Sequence, residues 1–216
     1  MAGAGPRFRV WTYAAPAIVL GCSQRALRDD IERRLRGRAE LTLRESGGGA
    51  VLTGPWLVSV SVVLPPEHPW VCKGLIDSYR HLGQLHVEVL KAFGVAARAL
   101  PPQELPSAHE ASAVSTVSWA CFGGLSPWEL VNAEGRKLVG LAQRRCRSGV
   151  LLVAGTLVGP VDWALLCDAM GYRQHESLLR HGTVSAQEMA GGPIGPERFA
   201  AVLTQWLERE LLTSRA

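Results

Sequence analysis

The chain has 216 residues, of which 47% are hydrophobic and 19% charged, and a formal net charge of +4. These proportions describe an ordinary one-domain globular chain with a substantial core, and they exclude a disordered or fibrous protein. The longest apolar run, 58–66, is too short to cross a bilayer and no charged-then-apolar leader precedes it, so a cytoplasmic protein with no membrane partner is expected.

In chain order, Ala17 to Leu20 is a short apolar run ending at Gly21, which reads as a buried strand. Arg25 to Leu35 carries apolar residues at 27, 31 and 35, a helical stripe. Leu41 to Arg44 predicts a second strand, which runs into three consecutive glycines, Gly47, Gly48 and Gly49. Glycine costs backbone entropy, so such a run marks chain that turns at positive φ or that something approaches closely. Leu57 to Leu64 alternates and is rich in valine, a strand stopped by Pro65-Pro66. Tyr79 to Phe93 has helical spacing at Leu82, Leu85, Val89 and Ala92, with Gly94 at its end. The proline-containing stretch 100–118 reads as a loop. Val139 to Gln143 and Val150 to Val158 read as strands around a turn at Gly149, and Pro160 to Gly171 and Pro196 to Leu212 as closing helices.

Five cysteines, Cys22, Cys72, Cys121, Cys146 and Cys167, stand at wide irregular spacings without a Cys-x-x-Cys pair, which argues against a disulfide framework or a zinc site. The six histidines form no His-x-x-x-His pair, so no metal site is indicated. The basic clusters 25–38 and 144–147 have no nucleic-acid-binding motif beside them; their positive charge suits an acidic protein partner better, or a solvated helix face. Cys121 precedes Gly123-Gly124, which places a thiol beside bare backbone, and Lys137 lies between Gly135 and Gly140 in a hairpin pattern.

Three segments occur in order: Leu20-Gly-Cys-Ser-Gln24, Arg44-x-Ser-Gly-Gly-Gly-Ala-Val, and Gly135-Arg-Lys-Leu-Val-Gly-x-Ala-Gln-Arg-Arg. Together they resemble the lipoate branch of the biotin/lipoate protein ligase and octanoyltransferase superfamily; the last segment sets them apart from the biotin branch. The resemblance covers residues 15–212 as a catalytic domain, leaving 1–14 as an N-terminal extension. It implies a single α/β domain, class II synthetase-like, with a central mixed, mostly antiparallel sheet flanked by helices. It also implies an acyl tunnel beside the glycine run, bounded by Arg44, Ser46, Gly47, Gly48, Gly49, Ala50, Gly140, Ala142 and Gln143. Trp56, just after the run, is a candidate to shorten or cap that tunnel.

The family's chemistry divides. Ligases activate a free acid with ATP, whereas transferases pass the acyl group through a cysteine. One transferase subgroup carries its cysteine in a Pro-Cys-Gly-Tyr-like context, where this chain has Ala169-Met-Gly-Tyr172; another carries Ala-Cys-Phe ahead of the lysine hairpin, as in Ala120-Cys-Phe122. The resemblance therefore implies an octanoyl or lipoyl transferase with Cys121 as nucleophile and no cofactor. Lys137 would favour the thiolate and stabilise the oxyanion. An acyl carrier protein or a lipoyl domain or H-protein would serve as donor and acceptor. The other readings are a lipoate-protein ligase using ATP and magnesium in the same pocket, and a carrier-binding relative without catalysis. Arg144 and Arg145 are either carrier contacts or exposed charge, and Cys22, Cys72, Cys146 and Cys167 are read as structural.

Overall fold

The computed structural model describes residues 5–111 and 116–213. Six strands form one antiparallel sheet: β1 (Arg7–Trp11), β5 (Leu57–Leu64), β9 (Gly149–Leu157), β8 (Lys137–Cys146), β7 (Leu130–Val131) and β6 (Arg98–Ala99), in that spatial order. A second sheet places β2 (Ala17–Leu20) between β3 (Glu40–Leu43), which is parallel to it, and β4 (Val51–Thr53), which is antiparallel. Among the described strands, the parallel pairing expected of a mixed sheet therefore occurs in this smaller sheet, between β2 and β3.

Alternation explains the layering. Val58, Val60, Val62 and Leu64 of β5 are buried in the core, on the face where β5 and β1 meet α7 (Pro196–Glu208). Helix α2 (Ser78–Lys91) packs beside α7 and turns Leu82, Leu85, Val89 and Leu90 inward. Leu57, Ser59 and Ser61 belong to the opposite set, since successive strand residues face opposite sides. Behind the small sheet, α1 (Arg28–Leu35) packs on α4 (Trp163–Met170), whose first turn is capped by Asp162 accepting the Leu165 N–H.

Several sequence expectations need amending. Residues 1–14, read as an extension, include β1, whose five residues pair with β5; Phe8 and Val10 alternate inward and anchor the strand to the core. The stretch 100–118, read as a loop, contains α3 (Leu105–Ala111), begun where Pro102 and Pro106 sit in the first turns, the positions proline tolerates. Two short helices, α5 (Glu176–Gly182) and α6 (Ala186–Ala190), had no periodic signature long enough to read. No helix among the described residues is long and apolar enough to span a membrane.

The glycine run serves close backbone packing. Gly48 has φ +95°, and a Cβ on Gly21 would lie 2.0 Å from the Gly48 carbonyl oxygen, while one on Gly49 would lie 2.5 Å from the Trp119 carbonyl oxygen. Ala50 N–H donates to that same Trp119 oxygen (2.7 Å) and Cys121 N–H donates to the Ala50 oxygen (2.9 Å). The bare backbone thus lets the segment bearing Cys121 lie directly on the loop.

Two predictions follow from this packing. Gly49→Ala forces backbone apart and costs about 1–3 kcal/mol, whereas Gly47→Ala, with open space around its Cβ, stays within about 0.5 kcal/mol of wild type. Urea unfolding of both variants measures the contrast; equal stabilities contradict it. In α2, His86 is fully buried, its Nδ1 donating to the Leu82 carbonyl (2.7 Å) and its Nε2 without a partner. Burial lowers its pKa to about 4. The unfolded chain takes up this proton near the ordinary histidine value while the folded chain does not, so stability falls as pH drops from about 6.5 towards 4. Between pH 7 and pH 5 His86 accounts for a loss of about 2 kcal/mol, which His86→Leu should remove; an unchanged pH dependence in the variant contradicts the assignment.

Candidate functional site

Cys121 stands in a tight loop. Ala120 N–H donates to the Val117 oxygen (3.0 Å), Gly123 N–H to the Ala120 oxygen (3.0 Å) and Val117 N–H to the Gly123 oxygen (2.7 Å). A Cβ on Gly123 would sit 2.1 Å from the Val117 oxygen, so only glycine closes this turn. From the start of β8, Lys137 reaches into the loop: its ammonium donates to the carbonyl oxygens of Cys121 (2.8 Å) and Gly124 (2.9 Å) and meets Glu129 Oε2 at 2.7 Å. Both side chains of the Lys137–Glu129 pair are only 2% exposed. The Glu129 carboxylate also accepts the N–H groups of Ser126 (2.8 Å) and Leu141 (3.0 Å). Burial lifts its pKa, against the opposing pull of Lys137 and these hydrogen bonds. The pair is thus fully satisfied, the condition under which buried charge is tolerated.

This arrangement spends all three ammonium hydrogens on Glu129 and backbone carbonyls. None of these hydrogens is directed at the sulfur, although the Lys137 charge still favours the thiolate. Burial raises the Cys121 thiol above its ordinary pKa; Lys137 pulls it down, Glu129 pushes it up, and Arg44 pulls it down. Burial is the largest of these influences, and the net direction is upward.

Next to Cys121 lies a cavity of about 440 Å³ between the two sheets. Its floor follows from strand register. Gly140 of β8, Gly155 of β9, Ser59 of β5 and Trp11 of β1 stand opposite one another in one row, and Ala142, Val153 and Ser61 in the next. Directly opposed residues share a face, and all seven line the cavity. Small side chains therefore make a trough across the sheet, about 14 Å from β8 to β1 at three strand spacings. Phe122 rests at one end, its ring tip 3.5 and 3.9 Å from where a Cβ on Gly140 and on Gly155 would lie. Trp11 and Tyr13 stand at the other, with the Tyr13 hydroxyl 2.8 Å from Ser59 Oγ. Val19, Val51 and Thr53 of the small sheet form the roof.

Of the residues singled out from sequence, Cys121, Arg44, Ser46, Gly140 and Ala142 line this cavity. Arg44 does so while its guanidinium donates to the carbonyls of Val19, Gly47 and Gly49, so it holds the glycine loop in shape. Gly47, Gly48, Gly49 and Ala50 support the loop from outside the lining, and Lys137 lies beneath it. Gln143 points to the other face of β8 and donates to the Leu75 carbonyl (2.7 Å). Trp56 packs over Gly54 and Gly159 instead of capping the cavity. Arg145 donates to the Val71 and Gly74 carbonyls and to Ser78 Oγ, which fixes the segment ahead of α2. Arg144 stays at the cavity lip, paired with Glu45.

Sequence reasoning missed Glu129, Trp11, Tyr13, Ser59 and Ser61. A signal existed for Glu129, a lone acid in the apolar setting Ser126-Pro-Trp-Glu-Leu-Val131 shortly before the lysine. It also missed the stack of Trp119, Tyr172 and His175, in which Trp119 Nε1 donates to His175 Nδ1 (2.9 Å). Cys22, Cys72 and Cys146 are exposed and Cys167 is buried, all as free thiols. A larger depression of about 580 Å³, lined by Trp70, His81, Trp128 and Trp206, contains none of the candidate residues.

The lipoyl protein ligase A/B catalytic domain model matches residues 2–208. The chain is 30% identical over 207 residues to the octanoyltransferase LipM of Kyrpidia tusciae, covering 93% of this chain and 73% of that protein. It is 30% identical over 179 residues to the octanoyltransferase LipM of Staphylococcus aureus, covering 81% of this chain and 62% of that protein. Among solved structures, a bipartite lipoate protein ligase from Thermoplasma acidophilum, studied with its E2 lipoyl domain, superposes with a TM-score of 0.70 at 16% identity over 97% of this chain and 72% of that one. A lipoate-protein ligase A bound with ATP gives 0.68 at 18% identity, covering 97% and 74%. These two likenesses concern the fold alone. From a family model spanning nearly the whole chain, the chain belongs to the lipoyl protein ligase A/B catalytic domain family.

Proposed function

We propose that this chain is an octanoyltransferase of protein lipoylation, moving an octanoyl group from a carrier-protein thioester through Cys121 to a lysine of a lipoyl domain. One observation carries the reading: the Cys121 thiol opens on an apolar trough floored by glycine, alanine and serine, in a chain related to curated octanoyltransferases. An extended alkyl chain fits such a trough. At about 0.8 kcal/mol per buried methylene, an octanoyl tail supplies roughly 5 kcal/mol of burial.

In the first half-reaction Cys121 loses its proton as its sulfur bonds to the acyl carbon. The carbon–sulfur bond to the carrier breaks, and the released carrier thiolate takes up a proton. The thioester brings its own activation, so the step needs no ATP. In the second, an uncharged lysine amine of the acceptor attacks the Cys121 thioester, the amide forms as the acyl carbon–sulfur bond to Cys121 breaks, and the amine proton ends on the departing Cys121 sulfur. The upward shift of the thiol by burial favours this return of the proton. Lys137 acts here as a positioning residue that holds the Cys121 and Gly124 carbonyls. The ATP-dependent ligase reading draws on the shared ligase fold, and the relatives by sequence favour it less.

Intact-protein mass after mixing with octanoyl-carrier protein, without ATP, separates these readings. Wild type is expected to gain a single octanoyl group that hydroxylamine removes, and Cys121→Ala none. An adduct of equal extent on both proteins moves the nucleophile elsewhere. No adduct without ATP, with ligation of free octanoate when ATP is added, replaces the transferase reading by the ligase.

A further inference from the structure

The strand register that builds the trough continues past it. Beyond Ala142, Val153 and Ser61 the second row ends at Arg9, and a third row runs Arg144, Leu151, Val63, Arg7 across β8, β9, β5 and β1. Exposure rises along the strands in the same direction. Gly140 and Ser59 are buried, Ala142 and Ser61 half-buried, and Arg144, Arg7 and Arg9 exposed. Val63, in the middle of the third row, is 48% exposed, an apolar side chain in a position that faces solvent. The arginines of β1 cannot turn inward, because Phe8 and Val10 hold the opposite face of that strand against the core. Arg7 and Arg9 form no ion pair with a described residue, while Arg144 pairs with Glu45 at the cavity lip.

The open end of the trough is thus an apolar centre, Val63 and Leu151, between guanidinium groups on both sides. These sides lie about 14 Å apart across the sheet, and Arg7 and Arg9 about 7 Å apart along it. We infer that this face is the docking surface for the acidic carrier domain that delivers the octanoyl thioester, with Arg7, Arg9 and Arg144 meeting its carboxylates and Val63 its apolar centre. The inference rests on the transferase reading above. Two features point to this occupant. The surface is continuous with the cavity, since Arg144 and Leu151 belong to both, so a thioester arm from a domain seated there enters the trough directly. Its charge is net positive around an exposed apolar patch: Glu45 answers Arg144, while Arg7 and Arg9 have no ion-pair partner among the described residues, which suits an acidic domain. Charged residues on an edge strand also deter edge-to-edge pairing, and charge reversal keeps that protection while inverting recognition.

The test compares wild type with Arg7→Glu/Arg9→Glu, using two donors: octanoyl-carrier protein and octanoyl-pantetheine, which lacks the protein and the phosphate. Rates of Cys121 acylation are read by intact mass, at low and at raised salt. The double variant is expected to react about tenfold more slowly with the carrier at low salt and within twofold of wild type with octanoyl-pantetheine. Salt should slow the carrier reaction of wild type and not that of the variant. Unchanged carrier rates, or equal losses with both donors, overturn the docking surface. So does a loss seen only when pre-acylated enzyme meets a lipoyl domain, which assigns the face to the acceptor. Absence of acylation by either donor, in wild type as well, removes the transferase reading itself.

Discussion

The buried contact between Lys137 and Glu129 is the constraint on which the candidate site depends. Lys137 starts β8, Glu129 precedes β7, and the ammonium between them ties down the carbonyls of Cys121 and Gly124. A charge at this depth is affordable only because each donor and acceptor is used. Loss of one partner would leave the other as an uncompensated buried ion, a cost of about 3–5 kcal/mol in comparable pairs. The pair couples two strands of the main sheet to the loop that carries the thiol, so the position of the sulfur is set by the same contact that secures the strands. Phe122, 5.3 Å from the ammonium at its ring centre, then covers Gly140 and Gly155 and forms one end of the trough.

Everything else at the site is a matter of making room. Gly21, Gly48 and Gly49 let three backbone segments approach one another, and Arg44 fastens the result by donating to three carbonyls. Gly140, Gly155, Ala142, Ser59 and Ser61 leave the sheet floor low. The cavity is therefore a product of strand register: shifting β5 by one residue would put Val58 and Val60 where Ser59 and Ser61 stand and fill it.

Much of this was legible in the sequence because it depends on unusual local composition. Three glycines in a row, a cysteine before a glycine pair and a lysine in a glycine-flanked hairpin are visible without a structure, and the strand Leu57–Leu64 has the same ends in the sequence pattern and in the fold. What the glycines and Arg44 do is less legible: the resemblance places the run along the acyl tunnel, whereas Gly49 lies against the backbone of Trp119 and Ala120 and Arg44 fastens the loop's carbonyls. Nor could local pattern reveal β1. Its five residues are ordinary in isolation, and it becomes a strand by pairing with β5, far along the chain. Glu129 was missed for a similar reason, since its meaning lies in the lysine across the β7–β8 turn. Trp11 and Tyr13 bound the trough where Trp56 was the candidate, an outcome set by which strand ends at the sheet edge.

The charge of Lys137 is answered by Glu129, and burial holds the Cys121 thiol above its ordinary pKa. That claim is tested most directly by the pH dependence of Cys121 alkylation, followed on the Cys121 peptide so that the exposed thiols do not intrude, in wild type and in Glu129→Gln. Wild type should titrate above the ordinary thiol value of about 8.5. Removing the carboxylate, which pushes the thiol up and engages the ammonium, should bring that titration down. A wild-type Cys121 already ionised at neutral pH, and indifferent to Glu129→Gln, would show that the ammonium serves the sulfur instead, contradicting the account.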